Sequence, residues 1–202
     1  MTARDQVTLS TQLVGPRLIL RAPRPSDIPE LRALVRDNAE HLRPWSPASA
    51  NAQRTPTLTE LSRSVARYRR EWKEGSAYVF VVTLREPDAP IVGRIALTSV
   101  VRGPFQNAHL GYWTAVNHQG RGIATEAAAL VVDFAFGTLE LHRLEAAVMP
   151  QNLASRRILA KVAFREEGLA RRYLSIAGRW EDHILFGLTR EEWEERRPQP
   201  ST

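Results

Sequence analysis

Residues 117–125 carry the strongest chemical signal in the chain. They read Asn117-His118-Gln119-Gly120-Arg121-Gly122-Ile123-Ala124-Thr125. Two glycines one residue apart let the backbone turn where a side chain would clash. A run rich in aromatic and β-branched residues, 110–116, precedes them and reads as a strand. From Ile123 to Phe136 the pattern is helical and apolar at almost every position, with Glu126 and Asp133 forming one polar stripe. The first turn of such a helix leaves backbone N–H groups without partners, and with the positive end of the helix dipole they attract anions. Gly120 and Gly122 let a phosphate approach the backbone, and Arg121 adds a mobile positive charge. The loop therefore reads either as a phosphate or pyrophosphate cradle or as a plain strand-to-helix turn. The dinucleotide fingerprint is excluded because its third glycine position holds Thr125. The nucleoside-triphosphate loop is excluded because Gly-Lys-Ser/Thr occurs nowhere in the chain.

A second candidate pair is Asn152 and Ser155, placed on one face at the start of a short helical stretch. Asn152 either caps that helix or presents its amide to a ligand.

Taken in order, five segments resemble one family. Leu110-Gly-Tyr-Trp113, His118-Gln-Gly-Arg-Gly-Ile-Ala-Thr-Glu126, Leu141-His-Arg-Leu-Glu145, Asn152-Leu-Ala-Ser155 and Ala163-Phe-Arg-Glu-Glu-Gly168 are similar to the GCN5-related N-acetyltransferases (GNAT). Within that family they resemble the RimJ/RimL branch, which acetylates ribosomal-protein N-termini. The resemblance spans residues 15–195. It implies that Gln119, Gly120, Arg121, Gly122, Ile123, Ala124 and Thr125 bind the pyrophosphate of acetyl-CoA. It implies that backbone near Trp113 and Thr114 holds the pantetheine chain and the thioester carbonyl, and that Asn152 hydrogen-bonds the pantetheine. Ser155 then stands where its hydroxyl can donate to the sulfur. Many relatives outside this branch carry a Tyr further along that helix, where this chain has Leu159.

The base is less defined. His109 stands where related enzymes often carry Glu; it accepts a proton through water or is a strand-end histidine with no catalytic duty. Asp182 matches a recurrent Asp of the branch, or makes a structural hydrogen bond in a hairpin. Where some relatives place a Glu, this chain has Arg171-Arg172-Tyr173. The implied reaction is direct attack of a primary amine on acetyl-CoA in a ternary complex, without a metal. The acceptor is a protein N-terminus or a small amine such as a polyamine, aminoglycoside or amino acid. A non-catalytic acyl-CoA sensor is the rival reading, and relatives suggest a monomer or homodimer.

The elements that must position these residues follow from patterning. Residues 17–21 alternate as a strand, and Ser26 or Asp27 caps a helix running to about Asn38, with Pro29 in its first turn. Residues 41–56 are irregular around Pro44, Pro47 and Pro56, and Trp45 there either anchors the core or lines the acceptor pocket. Residues 57–73 repeat apolar positions at helical spacing and end at Gly75. Residues 77–84, 91–101, 110–116 and 144–148 read as strands, 152–162 as a helix, and 164–175 with 180–188 as a hairpin around Gly178. Thr189-Arg-Glu-Glu192 spells a capping box. This order predicts an α/β fold with a mixed, mostly antiparallel sheet of about seven strands flanked by helices. The family fold adds a splay between its fourth and fifth strands, here 110–116 and 144–148. One domain, 15–196, is expected after a loose lead-in, 1–14, and before a disordered Pro-rich tail, 197–202.

Composition limits the alternatives. The 202 residues include no cysteine, which excludes disulfides, thiolate metal sites and cysteine nucleophiles. No run of about 18 apolar residues exists to span a membrane, and the polar N-terminus lacks a signal-peptide core, so a cytoplasmic location is the default expectation. The net charge is +6, but the basic residues are dispersed and only Lys73 and Lys161 are lysines. A solvated mixed surface, not a nucleic-acid face, is expected.

Overall fold

The computed structural model describes residues 7–47 and 54–196; the expected tail, 197–202, lies outside the described residues. Alternating apolar runs build one eight-stranded sheet, ordered β1-β2-β3-β4-β5-β6-β8-β7. The strands are β1 (Gln12–Val14), β2 (Leu18–Arg21), β3 (Tyr78–Leu84), β4 (Ile91–Val101), β5 (Asn107–Thr114), β6 (Arg143–Val148), β7 (Arg165–Ile176) and β8 (Arg179–Thr189). The eighth strand comes from the lead-in. Gln12–Val14 pairs antiparallel with β2, and Val7, Leu9 and Leu13 pack against the core, so residues 7–14 are not loose.

Helices α1 (Ile28–Asp37), α2 (Ala39–Leu42), α3 (Leu58–Glu74), α4 (Ile123–Asp133), α5 (Leu153–Lys161) and α6 (Arg190–Glu194) complete the fold. Local chemistry explains their ends. Thr57 and Glu60 form a reciprocal capping box on α3, and Gly75 closes it in the left-handed conformation at φ +71°. Thr189 and Glu192 do the same at the start of α6. None of the described helices is long and apolar enough to cross a membrane.

Asp27 precedes α1 but does not cap it as the spacing suggested. Its buried carboxylate receives both Arg21 guanidinium nitrogens, at 2.7 and 2.9 Å, and the Arg24 N–H at 2.7 Å. Burial alone would raise this carboxyl. The hydrogen bonds from Arg21 and Arg24, with their two charges, outweigh burial and hold it below its ordinary value.

Helix α4 crosses behind the sheet. Ala127, Ala128, Val131 and Val132 are buried, and the small residues allow close approach to the strands. Past Asp133 the helix widens into one π-type turn, Phe134–Thr138, which buries Phe134, Ala135 and Phe136. Phe134 meets Tyr78 and Phe80 edge-on, and Trp72 of α3 meets the same pair at 5.2 and 4.8 Å. Each of these rings contributes on the order of 2 kcal/mol of burial. The polar stripe is satisfied: Glu126 binds Arg17, and Asp133 accepts from the Trp193 indole N–H at 2.7 Å.

All neighbouring strands run antiparallel except β5 and β6. That parallel pair is joined through α4 and holds only three register positions, Asn107↔Arg143, Ala108↔Leu144 and His109↔Glu145. Beyond them β5 stays paired with β4 as far as Thr114, and β6 stays paired with β8 as far as Val148. The sheet therefore opens into a wedge between Leu110–Thr114 and Ala146–Val148. These are the two strands the family fold would splay. Strand β5 begins three residues earlier than its apolar pattern suggests. It ends at Thr114 because 116–118 wind into a 3-10 turn.

Removing the Asp27 carboxylate would leave the half-buried Arg21 guanidinium without its carboxylate. Asp27→Ala is expected to cost about 3 kcal/mol in urea unfolding at pH 7. Because the carboxyl is depressed in the folded state, its contribution is present above the ordinary Asp range and fades as pH falls below about 4. A loss under about 1 kcal/mol would mean the pair is solvent-screened.

Candidate active site

The glycine loop sits at the mouth of the wedge. Gly120 and Gly122 both adopt left-handed backbone, φ +71° and +77°, which a side chain would strain. Gly122 is the residue before α4 and no side chain caps that helix, so its first-turn N–H groups point outward. A Cβ at Gly120 would meet no atom within 4 Å, leaving open space for an approaching group.

The loop is braced from behind. Arg17 donates to the Arg121 carbonyl at 2.8 Å and pairs with Glu126 at 2.8 Å. Buried Asn38 accepts from the Val116 N–H at 2.7 Å, and the Gln119 amide donates to His41 Nε2. The Arg121 side chain is exposed and pairs with none of the described residues. The loop thus offers backbone donors and one free guanidinium on a fixed frame, which suits a doubly charged pyrophosphate.

Inside the wedge lies a cleft of about 430 Å³. Its walls include Trp113, Asn152, Ser155, Tyr112, Trp45 and His183. Asn152 caps α5, its side-chain oxygen accepting from the Ser155 N–H at 3.1 Å. That leaves its amide nitrogen as a donor. Thr114, the last residue of β5, does not line the cleft; it pairs with Gly93, where an added Cβ would stand 2.6 Å from the Trp113 carbonyl.

Ser155 has a partner that the sequence did not single out. Its Oγ lies 3.0 Å from the Tyr112 hydroxyl, which is also 3.2 Å from the Ser155 carbonyl. Burial pushes the Tyr112 phenol up to about 12, and the bond to Ser155 only partly offsets this. The phenol is therefore a standing proton donor at neutral pH, and the pair can keep a hydrogen on or near Ser155 Oγ.

His183 is the other residue missed. It is 3% exposed and lines the cleft. Its Nδ1 lies 3.0 Å from the Glu181 carbonyl. A carbonyl only accepts, so Nδ1 carries a proton and Nε2 is the nitrogen left to exchange one with a ligand. No described residue bonds Nε2. The ring rests against Tyr173, with centroids 5.7 Å apart.

The two expected proton acceptors lie elsewhere. His109 is at the closed end of the wedge, beside a separate cavity of about 60 Å³ that it shares with Glu145, Glu167 and Tyr173. Its Nε2 is 3.6 Å from Glu145. Burial would raise Glu145, but hydrogen bonds from Arg143 and Asn107, with the charges of Arg143 and His109, bring it below its ordinary value. Asp182 accepts from the Arg172 N–H at 2.8 Å. Arg172 has φ +49° at a register shift between β7 and β8, so the carboxylate pins an irregularity in the hairpin. Among the described residues no three His, Cys, Asp or Glu side chains gather to hold a metal.

A phenol held near 12 is directly observable. Tyr112 is expected to remain neutral at pH 11, seen as the difference in absorbance near 295 nm between the protein and Tyr112→Phe. Since the folded value is raised, this group's contribution is full below the ordinary tyrosine value and is lost as pH rises from about 10 towards 12. Titration of Tyr112 together with free tyrosine would contradict the buried pairing.

Comparison with known proteins agrees with this architecture. The family model for the acetyltransferase (GNAT) domain matches residues 17–165. The chain is 35% identical over 176 residues to the probable N-acetyltransferase YjcK of Bacillus subtilis (strain 168), covering 87% of this chain and 96% of that one. It is 33% identical over 183 residues to the [ribosomal protein uS5]-alanine N-acetyltransferase of Escherichia coli (strain K12), covering 90% and 92%. Among solved structures, Mycobacterium smegmatis RimJ in complex with CoA-disulfide superposes with a TM-score of 0.83 at 36% identity, covering 89% of this chain and 88% of that one. The chain belongs to the GNAT acetyltransferase family and, within it, to the RimJ/RimL type.

Proposed function

We propose that this protein transfers acetyl from acetyl-CoA to a protein N-terminal amine by direct attack in a ternary complex. The observation that carries the reading is the wedge between β5 and β6, with the glycine loop at its mouth and Ser155 on its wall. The name of the Escherichia coli relative and the coenzyme bound to the mycobacterial RimJ support it.

Each residue then has a task. The N–H groups of 120–125, with Gln119 and Arg121, hold the pyrophosphate. Backbone at Trp113 and Thr114 and the Asn152 amide nitrogen orient the pantetheine along the open strand edge. Acetyl-CoA supplies the activated acetyl thioester. Ser155 donates to the sulfur as negative charge develops, and the Tyr112 hydroxyl, 3.0 Å from its Oγ and donating to its backbone carbonyl, fixes the serine on the cleft wall. His183 Nε2 takes the proton that the attacking amine gives up. The amine releases one proton and the thiol product gains one, so no net proton is consumed. His183 suits this task better than His109 or Asp182, because it alone of the three lines the cleft and keeps a ring nitrogen that no described residue bonds.

The direct test is acetyl-dependent CoA release with peptides bearing N-terminal Ala or Ser, compared with polyamines and aminoglycosides. Peptides should turn over; turnover confined to small amines would move the acceptor class. Ser155→Ala should lower kcat by about 10- to 100-fold while acetyl-CoA affinity, measured by calorimetry, stays within about 2-fold. Unchanged kcat would remove Ser155 from the chemistry. Gly122→Val should weaken acetyl-CoA binding by at least about 10-fold, since the left-handed backbone is lost and the new side chain presses on Arg17. Full affinity would place the pyrophosphate elsewhere.

A further inference from the structure

The acetyl-transfer cleft opens onto a second pocket of about 520 Å³, which shares Leu42, Ser46, Pro47 and Arg94 with it. Four of its lining residues are arginines, Arg43, Arg54, Arg63 and Arg94, against one carboxylate, Glu60. The charges do not cancel. Arg54 spends its guanidinium on Glu60, at 2.5 and 3.1 Å. Glu60 is also committed to the α3 capping box, accepting from the Thr57 N–H at 2.8 Å, and is drawn down to about 2 by Arg54 and Thr57.

The other three arginines meet no carboxylate among the described residues. Arg43 and Arg63 are exposed. Arg94 is half-buried on β4, opposite Trp113, and donates only to the Tyr68 hydroxyl at 3.0 Å while lying 5.8 Å from that ring. The stretch 48–53 reads Ala-Ser-Ala-Asn-Ala-Gln and contains no acidic residue that could neutralise them. Three guanidinium groups with no carboxylate partner among the described residues thus converge at the edge of the transfer cleft. Their forks match carboxylates in geometry and charge.

We propose that this pocket selects acceptors whose residues just behind the acetylated amine carry carboxylates: an acidic N-terminal peptide. The inference rests on the acetyltransferase reading above. An amine entering the cleft past Trp45 leaves the chain behind it over Ser46, Pro47 and Arg94, where carboxylates at the next few positions meet Arg94, Arg63 and Arg43. Arg94, being half-buried, acts at short range. The exposed Arg43 and Arg63 act mainly by steering, which salt screens.

The test uses three hexapeptides with N-terminal Ala and positions two to four acidic, neutral or basic. Acidic peptide should be acetylated with kcat/KM about 10-fold above neutral, and basic peptide below neutral, with the difference narrowing between 50 and 500 mM NaCl. Arg63→Glu should erase or invert the order while the neutral peptide and the KM for acetyl-CoA stay within about 2-fold. Equal kcat/KM for the three peptides would overturn the proposal. So would an Arg63→Glu effect on the acetyl-CoA KM alone, which would assign the arginines to the coenzyme. Turnover of none of the peptides would count against the acetyltransferase reading itself. Calorimetry of the same peptides with the CoA-loaded protein then decides the pocket separately: tighter acidic peptide supports it, and equal affinity overturns it.

Discussion

The structure depends on a pairing that stops early. Strands β5 and β6 run parallel and share three register positions before they part. Each stays anchored on its outer side, β5 to β4 and β6 to β8, so the gap is held open by the rest of the sheet. Backbone groups along the gap lack the partners that a continuous sheet would supply. A chain that leaves such an edge open inside its fold has a site for an extended ligand. In the proposed function that ligand is the pantetheine arm, a chain of amides well suited to a strand edge.

The rest of the fold supports this wedge. Helix α4 packs behind it with alanines and valines, and its first turn meets the glycine loop at the mouth. Arg17 holds that loop from the β2 side, and Asn38 and His41 hold it from α1 and α2. Helix α5 brings Ser155 to Tyr112 across 43 residues of sequence. In the proposed function the anion site and the transfer site are therefore placed by different elements on one frame. A substitution at either end should act on coenzyme binding and on turnover separately.

Much of this was legible in the sequence because it is local. Gly120 and Gly122, the Thr189–Glu192 capping box and the Gly75 stop depend on neighbours within one turn of chain, and the structure has them where spacing put them. The strand β1 was not legible: three residues at an edge carry too little pattern. Nor was the start of β5, since Asn107-Ala-His has no strand signature. The candidate base shows the deeper limit. Strand alternation says that Asp182 and His183 face opposite ways, but not which side faces the cleft. A register shift at Arg172 draws Asp182 to the backbone and leaves His183 on the cleft wall. Tyr112 stood inside a recognised segment, yet its pairing with Ser155 is a tertiary fact that no spacing encodes.

The wedge and its glycine loop can be tested together by backbone amide shifts on titration with acetyl-CoA. If the coenzyme lies where the proposed function puts it, the largest changes fall on Gly120, Gly122, Ile123 and Ala124 and on Gly111 to Thr114, with the outer strands β1 and β2 nearly silent. Shifts centred on α1 and α3, with the loop and β5 unmoved, would contradict the assignment of the gap as the site of acetyl transfer.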